Sequence, residues 1–454
     1  MTYSPPLGHP HPGRPALAHP RLVVVGNPAN RRVAFFRDAV RAAGLPEVRV
    51  EPWLDVLRGG ARFHPGETVR VESPGEDPDV DRLLRGTDDP TRVEGTGRWY
   101  EAFTAATAGL ARSVGDAGAV LVDDPAEPAV LFDKRLAHAR LREAGVPVPD
   151  SPTSGAAAPP VRGWADVRSL MAASGLRRVF VKLAHGSSAS GVLAVETNAA
   201  GRVQATTSVE RSPDGRLFNS LRVRRYTTER EVAAIVDALA PDGLHVERWL
   251  PKAAQGGRAA DLRVVVIDGR ATHAVVRTSR SPMTNLHLGG TRGDLGAVRA
   301  AVSAAGGQWS DALGVCERAA DAFPGMRCVG VDLLPGVGWR RFAVGEVNAF
   351  GDLLPGLTGL PGSGAEGLDT YAAQVAALLR GTPARSPATT GGPATDEPRS
   401  PATTSATGTT RRPATARTTG TTGTTRTTRT TRTTRTTRTT RTTRTTRTTG
   451  SSAT

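Results

Sequence analysis

Short apolar runs alternate with helical periodicities along the first 380 residues of the chain. Residues 22–26 (LVVVG) are typical of a strand buried in a parallel sheet. Asn30 then predicts a helix N-cap, Gly44 predicts the end of that helix, and residues 48–50 predict a second strand. The apolar face of the helix comprises Val33, Phe36, Val40 and Ala43. This strand–helix–strand order predicts a right-handed α/β unit.

The same periodicities continue further along the chain. Residues 69–77 predict a strand that enters a Gly/Pro turn, and residues 99–113 predict a helix. Phe132 and Leu136 begin a helical pattern that ends at Gly145, just before two prolines. The later predicted elements are a loop at 151–160, strands in 179–223, a helix at 229–239, strands in 245–278, a helix at 311–323, strands at 328–334 and 341–347, and a helix at 368–379.

From residue 381 the composition changes to Thr, Ala, Pro, Gly and Arg, and residues 424–447 are eight consecutive Thr-Thr-Arg triplets. Such a segment has too few apolar residues to offset the entropy of ordering, so residues 381–454 are predicted to be a disordered tail. Residues 1–20 are predicted to be a disordered leader. The tail holds thirteen arginines against Asp396 and Glu397, so it carries eleven of the fifteen net positive charges.

The charge of the tail suggests weak electrostatic binding of nucleic acid or another acidic surface. The alternative is an expanded repeat without a role, which the absence of aromatic residues for base stacking favours. The two cysteines support neither a disulfide framework nor a zinc site, so a cytoplasmic location is expected. Neither a signal peptide nor a membrane-spanning segment is expected from the apolar runs.

Lysine is rare in this chain: of 58 basic residues only Lys134, Lys182 and Lys252 are lysines. A position that requires a compact ammonium group would retain lysine. Lys182 ends an apolar strand, and the following residues 185–191 contain two glycines and four other small residues. Backbone N–H groups of such a loop can close over an anion, although many surface loops are also glycine-rich.

Oxygen donors lie on two apolar strands near the end of the globular region. Glu346 and Asn348 are two residues apart and therefore point to the same face of one strand, and Asp332 lies on the preceding strand. A register that aligns them would give the hard oxygen donors that Mg²⁺ prefers. The alternative is a solvated hairpin, but carboxylates in apolar strands are costly unless they are paired or bound to metal.

Residues 260–290 predict a β-hairpin with a turn at Asp268 and Gly269. Arg263 and Arg277 lie on its two strands and can clamp phosphate oxygens or the charge of an acyl phosphate. The alternative for each arginine is a solvated sheet face.

Taken in order, these segments over residues 132–356 resemble the ATP-grasp superfamily, most closely the branch of ribosomal-protein glutamate ligases and glutathione synthetases. The matching motifs are the DK helix with its GVPVP exit, VKLAHGSSASGV, VERWL, the DLR hairpin, NLHLGG and VDLL…GEVN. The resemblance implies an α/β and α+β fold. An N-terminal open-sheet domain (21–128) would precede a small subdomain (129–248) and a large catalytic subdomain (249–380), which grip ATP between them.

The resemblance also implies a function and site residues. The chain would be a carboxylate–amine ligase that uses ATP with Mg²⁺, or Mn²⁺ in its place, and forms an acyl phosphate. Arg263 and Arg277 would be catalytic. The metal ligands would be Asp332, Glu346 and Asn348, with Asn285 beside them. The nucleotide-binding residues would be Lys134, Lys182, His185, Gly186, Ser187, Ser188, Gly191, Glu247, Arg248, Trp249 and Leu250, with main-chain groups of Arg248 and Leu250 contacting the adenine. Lys252 receives no role and is expected at the surface.

The substrates would be a small-molecule or peptide carboxylate and an amine. After Asn348 the chain reads AFGDLLPGL, where the glutamate ligases usually continue with Ser-Pro-Gly, so their acceptor cannot be carried over. Asn285, Arg70 and Glu72 are a weak hypothesis for substrate contacts, with a structural turn as the alternative for Arg70 and Glu72. Two other functions stay open: phosphotransfer to a hydroxyl, and non-catalytic binding through the basic tail.

Overall fold

The computed structural model describes residues 20–187 and 189–381. The predictions for the leader and the tail therefore concern residues outside the described part, apart from Pro20 and Gly381. Ser188 also lies outside it. Among the described residues, no helix combines the length and the apolar character needed to cross a bilayer.

A four-stranded parallel sheet, in the order β2-β1-β3-β4, forms the first part of the fold. Its elements are β1 (Arg21–Gly26), α1 (Arg31–Ala42), β2 (Arg49–Pro52), α2 (Trp53–Leu57), β3 (Glu67–Val71), α3 (Pro78–Arg85), α4 (Thr96–Asp116) and β4 (Val120–Leu121). Because both faces of β1 are covered, its residues are apolar without alternation. The predicted open α/β sheet is confirmed.

The helix predicted after the first strand is α1. The Asn30 side chain accepts a hydrogen bond from the backbone N–H of Arg32, as an N-cap does. Val33, Phe36 and Val40 are buried, but Ala43 is exposed, so its assignment to the apolar face was wrong. Ala43 lies beyond the last helical residue, where the chain turns away from the core.

A five-stranded antiparallel sheet, in the order β8-β7-β6-β5-β9, follows. Its region contains α5 (Ala126–Leu131), α6 (Lys134–Glu143), α7 (Trp164–Ala173), β5 (Arg178–Leu183), β6 (Leu193–Thr197), β7 (Val203–Arg211), β8 (Leu217–Tyr226), α8 (Glu229–Leu239) and β9 (Leu244–Arg248). The helical pattern predicted from Phe132 begins at Lys134 because Asp133 caps it, accepting from the N–H groups of Arg135 and Leu136.

The last sheet has six strands in the order β13-β12-β11-β14-β15, with β10 paired to β11. Its region contains β10 (Ala254–Gln255), β11 (Arg258–Ile267), β12 (Arg270–Ser279), β13 (Thr291–Arg292), α9 (Leu295–Ala304), α10 (Trp309–Asp321), β14 (Cys328–Pro335), β15 (Phe342–Asn348) and α11 (Thr370–Arg380). The predicted hairpin is β11–β12, and Asp268 and Gly269 have φ values of 48° and 76°, as its tight turn requires.

Helix α11 joins the end of the described chain to the first sheet. Tyr371 and Val375 are buried in one apolar cluster with Leu22 and Val24 of β1 and with Phe36 of α1. The first sheet is thus covered by a helix from the end of the described chain, in addition to its own α1.

Candidate functional site

A cavity of about 880 Å³ shares lining residues with a smaller cavity of about 110 Å³. Their walls include the loop after β3, the start of α6, the loop between β5 and β6, and residues of β11, β12, β14 and β15. Lys134, Asp332 and Glu346 line both cavities. The structure therefore brings together candidate residues that are up to about two hundred positions apart.

The oxygen donors of β14 and β15 lie side by side. Asp332 pairs with Glu346 in the antiparallel register, and Gly330 pairs with Asn348. Asp332, Glu346 and Asn348 all line the larger cavity. This is the register that the predicted cluster of oxygen donors required.

Both arginines of the β11–β12 hairpin converge on Asp332. Arg263 Nε lies 2.5 Å from Asp332 Oδ1, and Arg277 Nη2 lies 3.1 Å from the same oxygen. Arg263 also reaches Asp352 Oδ2 at 2.9 Å, and Arg277 reaches Asp261 Oδ1 at 2.8 Å. The arginine side chains are only 13% and 8% exposed, so the alternative of a solvated sheet face is wrong.

These contacts determine the charge of Asp332. Burial alone would raise the pKa of the carboxyl group, but Arg263 and Arg277 outweigh burial and hold that pKa well below its usual range. Asp332 is therefore ionised at neutral pH, and Arg263 and Arg277 lie on the cavity wall paired with three carboxylates, those of Asp332, Asp352 and Asp261.

Lys134, which lines both cavities, and Lys182, which lines the smaller one, also contact acidic side chains. Lys134 Nζ donates to Gly186 O at 2.8 Å and to Glu346 Oε1 at 2.6 Å. Lys182 Nζ lies 2.6 Å from Glu247 Oε1. Burial would lower the pKa of Lys182, but Glu247 and Glu346 raise it overall. Burial would raise the pKa of Glu247, but Lys182 and His245 bring it down to about 2.

The small-residue loop after Lys182 is partly at the cavity. His185, Gly186 and Ser187 line the larger cavity, and the His185 ring stacks on Tyr100 with centroids 3.9 Å apart. Burial lowers the pKa of His185, which favours the neutral imidazole. Gly191 is not among the described lining residues. Its φ is +67° and an added Cβ would lie 2.4 Å from Leu183 Cδ1, so this glycine is explained by the turn and its packing.

The predicted adenine-binding hinge is only partly placed at the cavity. Glu247 lines the smaller cavity, whereas Arg248, Trp249 and Leu250 are absent from the described linings of both cavities. The N–H of Arg248, the last residue of β9, already donates to Asp150 O at 2.7 Å. The expectation that this main-chain group contacts adenine is therefore not supported by its position.

The sequence interpretation missed a buried polar cluster in the smaller cavity. Lys252 Nζ lies 3.1 Å from both Asp261 Oδ2 and Thr284 Oγ1, and its side chain is only 8% exposed. The assignment of Lys252 to the surface was wrong because the side chain lies inward against β11. The rarity of lysine could have indicated a role for Lys252, since it is one of only three lysines in the chain.

The weakly assigned substrate residues occupy different environments. Asn285 lines both cavities. Arg70 and Glu72 form a buried ion pair, with Arg70 Nη2 2.8 Å from Glu72 Oε1, and neither is among the described residues that line a cavity. The guanidinium of Arg70 also lies over the ring of Phe36. The proposed substrate contacts of this pair are not supported by its position, because both side chains are buried and bonded to each other.

The oxygen donors fit a magnesium ion better than a metal that takes all its ligands from protein. Among the described residues, no group of three or more His, Cys, Asp or Glu side chains forms a metal centre. Asp332 and Glu346 carry carboxylates, which contact Arg263, Arg277 and Lys134 in this structure. The Asn348 amide donates its N–H to Gly330 O at 3.1 Å and leaves its oxygen available. Mg²⁺ takes few protein ligands and completes its shell with phosphates and water, so this donor set suits it.

The chain is similar to ATP-grasp ligases of known structure. The ATP-grasp ligase PsnB, solved with a minimal precursor, matches at 19% identity and a TM-score of 0.47, over 80% of this chain and 99% of PsnB. D-cycloserine synthetase DcsG matches at 18% identity and a TM-score of 0.46, over 79% of this chain and 99% of DcsG.

A third similar structure is the macrocyclase MdnC from Microcystis aeruginosa MRC, solved with precursor peptide MdnA. It matches at 11% identity and a TM-score of 0.42, over 80% of this chain and 100% of MdnC. No family profile and no curated protein matches the sequence. At these identities and TM-scores the likeness assigns no role to any residue, so each role must come from the geometry of the site.

Proposed function

We propose that this chain is an ATP- and Mg²⁺-dependent ligase that joins a carboxylate to an amine through an acyl phosphate. The observation that carries the proposal is the convergence of two ammonium groups, Lys134 and Lys182, with the oxygen donors Asp332, Glu346 and Asn348 around adjoining cavities. Hard oxygen donors facing compact cations fit a metal-bound triphosphate.

Each part of the cavity wall has a role in this proposal. Lys134 and Lys182 bind the phosphates, with His185, Gly186 and Ser187 covering them and Glu247 in the nucleotide pocket. Asp332, Glu346 and Asn348 hold the metal. Residues 21–128 form an N-terminal domain, and residues 129–248 and 249–380 form two subdomains around the nucleotide. The substrates are a small-molecule or peptide carboxylate and an amine.

The proposed reaction has two steps. A carboxylate oxygen attacks the γ-phosphorus of ATP, and ADP leaves. The amine then attacks the acyl carbon, the bond from that carbon to the phosphate oxygen breaks, inorganic phosphate leaves, and the amine proton passes to solvent. Arg263 and Arg277 stabilise negative charge on the transferring phosphoryl group and on the acyl phosphate. Mg²⁺, when bound, neutralises phosphate oxygens, and the protein positions the reactants.

The ion pairs of the cavity make binding of metal and nucleotide interdependent. Lys134 pairs with Glu346, so a phosphate that approaches Lys134 competes with this carboxylate. A metal ion held by Glu346 removes that competition. We therefore expect Mg²⁺ and ATP to strengthen each other's binding, which agrees with their use as one complex.

Isotope transfer tests the proposed reaction directly. A mixture of the twenty common L-amino acids with ¹⁸O-labelled carboxylates is incubated with the protein and Mg–ATP, and the released phosphate is measured by mass spectrometry. The ligase route places one labelled oxygen in the phosphate. Turnover that depends on the mixture but releases only unlabelled phosphate would exclude the acyl phosphate and favour transfer to a hydroxyl or to water.

A further inference from the structure

The carboxyl ends of β1 and β3 form a crevice that the proposed reaction leaves without an occupant. Strand β1 is central, and the chain leaves it first toward β2 on one side and later toward β3 on the other. In parallel sheets, ligands bind outside the carboxyl ends of strands at such a switch point. The loops after the two strands are joined there, since Asn27 Nδ2 donates to Pro74 O at 2.8 Å and to Gly75 O at 3.0 Å.

This crevice opens into the larger cavity. Ser73, Gly75 and Glu76 from the loop after β3 line the cavity, and so does Arg32 from the first turn of α1. Arg32 Nη1 donates to Phe350 O at 2.8 Å. Phe350 lies two residues before Asp352, the partner of Arg263. The crevice and the proposed phosphoryl site therefore share one loop.

Arg32 is held in place on one edge and open on the other. Its Nη1 lies 3.5 Å from Tyr371 Oη and 3.9 Å from Glu72 Oε2, a buried carboxylate oxygen without a hydrogen-bond partner in the described part of the chain. No partner among the described residues contacts Nε or Nη2 of Arg32, whose side chain is 21% exposed. These two nitrogens form the fork edge that suits a carboxylate.

Glu76 supplies an opposite charge in the same crevice. It is exposed, lines the cavity and has no hydrogen-bond or ion-pair partner among residues 20–187 and 189–381. Its φ of 65° is unusual for a residue other than glycine, and strain of this kind concentrates at binding sites. A guanidinium and a carboxylate in one crevice match a small molecule that carries both a carboxylate and an ammonium group.

We propose that Arg32 binds the non-reacting carboxylate of an amino-acid acceptor at the switch point of the first sheet, and that Glu76 faces the acceptor's ammonium group. The inference rests on the proposed ligase function, since it names the class of amine that this site accepts. It makes Arg32 a specificity residue outside the machinery that binds ATP.

Equilibrium dialysis tests this inference without requiring turnover. The full-length protein is dialysed with Mg–ADP and either the twenty common L-amino acids or their carboxamides, and retained compounds are quantified by mass spectrometry. The variants are Arg32→Ala, Arg32→Lys and, as a matched control, Arg31→Ala, whose exposed side chain lies on the same turn of α1. We expect the wild type and Arg31→Ala to retain at least one amino acid but not its carboxamide.

Arg32→Ala is expected to retain that amino acid at least ten-fold less, Arg32→Lys to an intermediate extent, and all variants to retain ADP equally. Equal retention by Arg32→Ala and wild type overturns the role of Arg32. Retention of ADP without any amino acid, or with carboxamides retained equally, overturns the amino-acid acceptor. Failure to retain ADP would instead count against the proposed function, so the two failures are distinguishable.

Discussion

Lys182 Nζ lies 2.6 Å from Glu247 Oε1, and the two side chains are only 13% and 5% exposed. A buried ion pair of this kind contributes little net stability, but loss of one partner leaves an uncompensated charge. Lys182 therefore has two roles: it neutralises Glu247 and, in the proposed function, it binds a phosphate. A single substitution of Lys182 affects both roles at once.

Lys182→Met is expected to lower the free energy of unfolding by up to about 3–5 kcal/mol, because buried Glu247 loses its ammonium partner and keeps only the 3.3 Å contact with His245 Nε2. Adding Glu247→Gln should restore much of this loss. The affinity for Mg–ATP should stay reduced in the double variant by about ten-fold or more, since a charge-assisted hydrogen bond contributes about 1.5–3 kcal/mol. Denaturant unfolding and titration calorimetry measure the two quantities.

Glu247→Gln alone serves as the control for the nucleotide pocket, because it keeps Lys182. If the double variant binds Mg–ATP as tightly as Glu247→Gln, Lys182 has no phosphate role and its function is to neutralise Glu247.

Asp332→Asn is expected to abolish ATP turnover, because it removes a proposed metal ligand and the charge between Arg263 and Arg277. Each arginine keeps a second acid, Asp352 or Asp261, so the loss of stability should be limited to about 1–3 kcal/mol. Measuring ADP release and thermal unfolding on the same variant separates the loss of turnover from the loss of stability.

Asp268→Asn is the matched control for this variant. Asp268 also pairs with a partly buried arginine, Arg327, at 3.0 Å, but lies outside both cavities. Asparagine tolerates its positive φ. Turnover should survive in Asp268→Asn, and similar turnover in the two variants would remove the metal assignment of Asp332.

Sequence patterns predicted the strands that carry the site because these strands are apolar, short and bounded by turn residues. The helix predicted at 229–239 is α8, and the strands predicted at 328–334 and 341–347 are β14 and β15, to within a residue at each end. Five α-helices of the described chain were missed: α2, α3, α5, α7 and α9. In α3, Asp77 and Pro78 were assigned to a turn although they are the N-cap and first residue of a helix.

Long-range partners could not be predicted in the same way. The alignment of Asp332 with Glu346 followed from a hairpin register, which is a local property. The contact of Arg32 with Phe350 joins residues 318 positions apart, and no periodicity encodes it. Lys252 was wrongly assigned to the surface because the sequence did not predict β10, the short strand between Lys252 and its ion-pair partner Asp261.

Buried histidines predict a loss of stability below neutral pH. Burial lowers the pKa of His138, whose Nε2–H donates to Pro149 O at 2.6 Å and whose Nδ1 then accepts from the Ser154 hydroxyl at 2.8 Å. Burial likewise lowers the pKa values of His245 and His273. Because the unfolded chain binds these protons more tightly, the stability contribution is complete above the ordinary pKa of 6.5 and is lost as pH falls through the folded values.

Thermal unfolding between pH 7.5 and about 5 checks this expectation. His138→Gln should flatten the fall in melting temperature, whatever its effect at pH 7.5, whereas His64→Gln, at an exposed position, should not. If the melting temperature of His138→Gln falls with pH as steeply as that of the wild type, His138 is already protonated in the folded protein or equally protonated in the folded and unfolded states.

Deletion of residues 382–454 tests whether function lies in the cavity or in the basic tail. The deletion retains Gly381, whose N–H bonds to Leu378 O at the end of α11. It removes all thirteen tail arginines but no described residue of the cavity. ATP turnover is therefore expected to stay within about two-fold of the full-length protein, because every described residue that lines the cavity is retained and salt largely screens exposed charges that lie more than a Debye length apart.

A second variant separates charge from chain length: the eight arginines of residues 424–447 are replaced by glutamine in the full-length protein. Binding of single-stranded DNA at low salt should weaken in this variant and in the deletion, with a shallower dependence on salt concentration, because fewer counterions are released. ATP turnover should be unaffected in both. Loss of turnover on deletion would contradict the cavity as an independent active site and would favour a function that requires the tail.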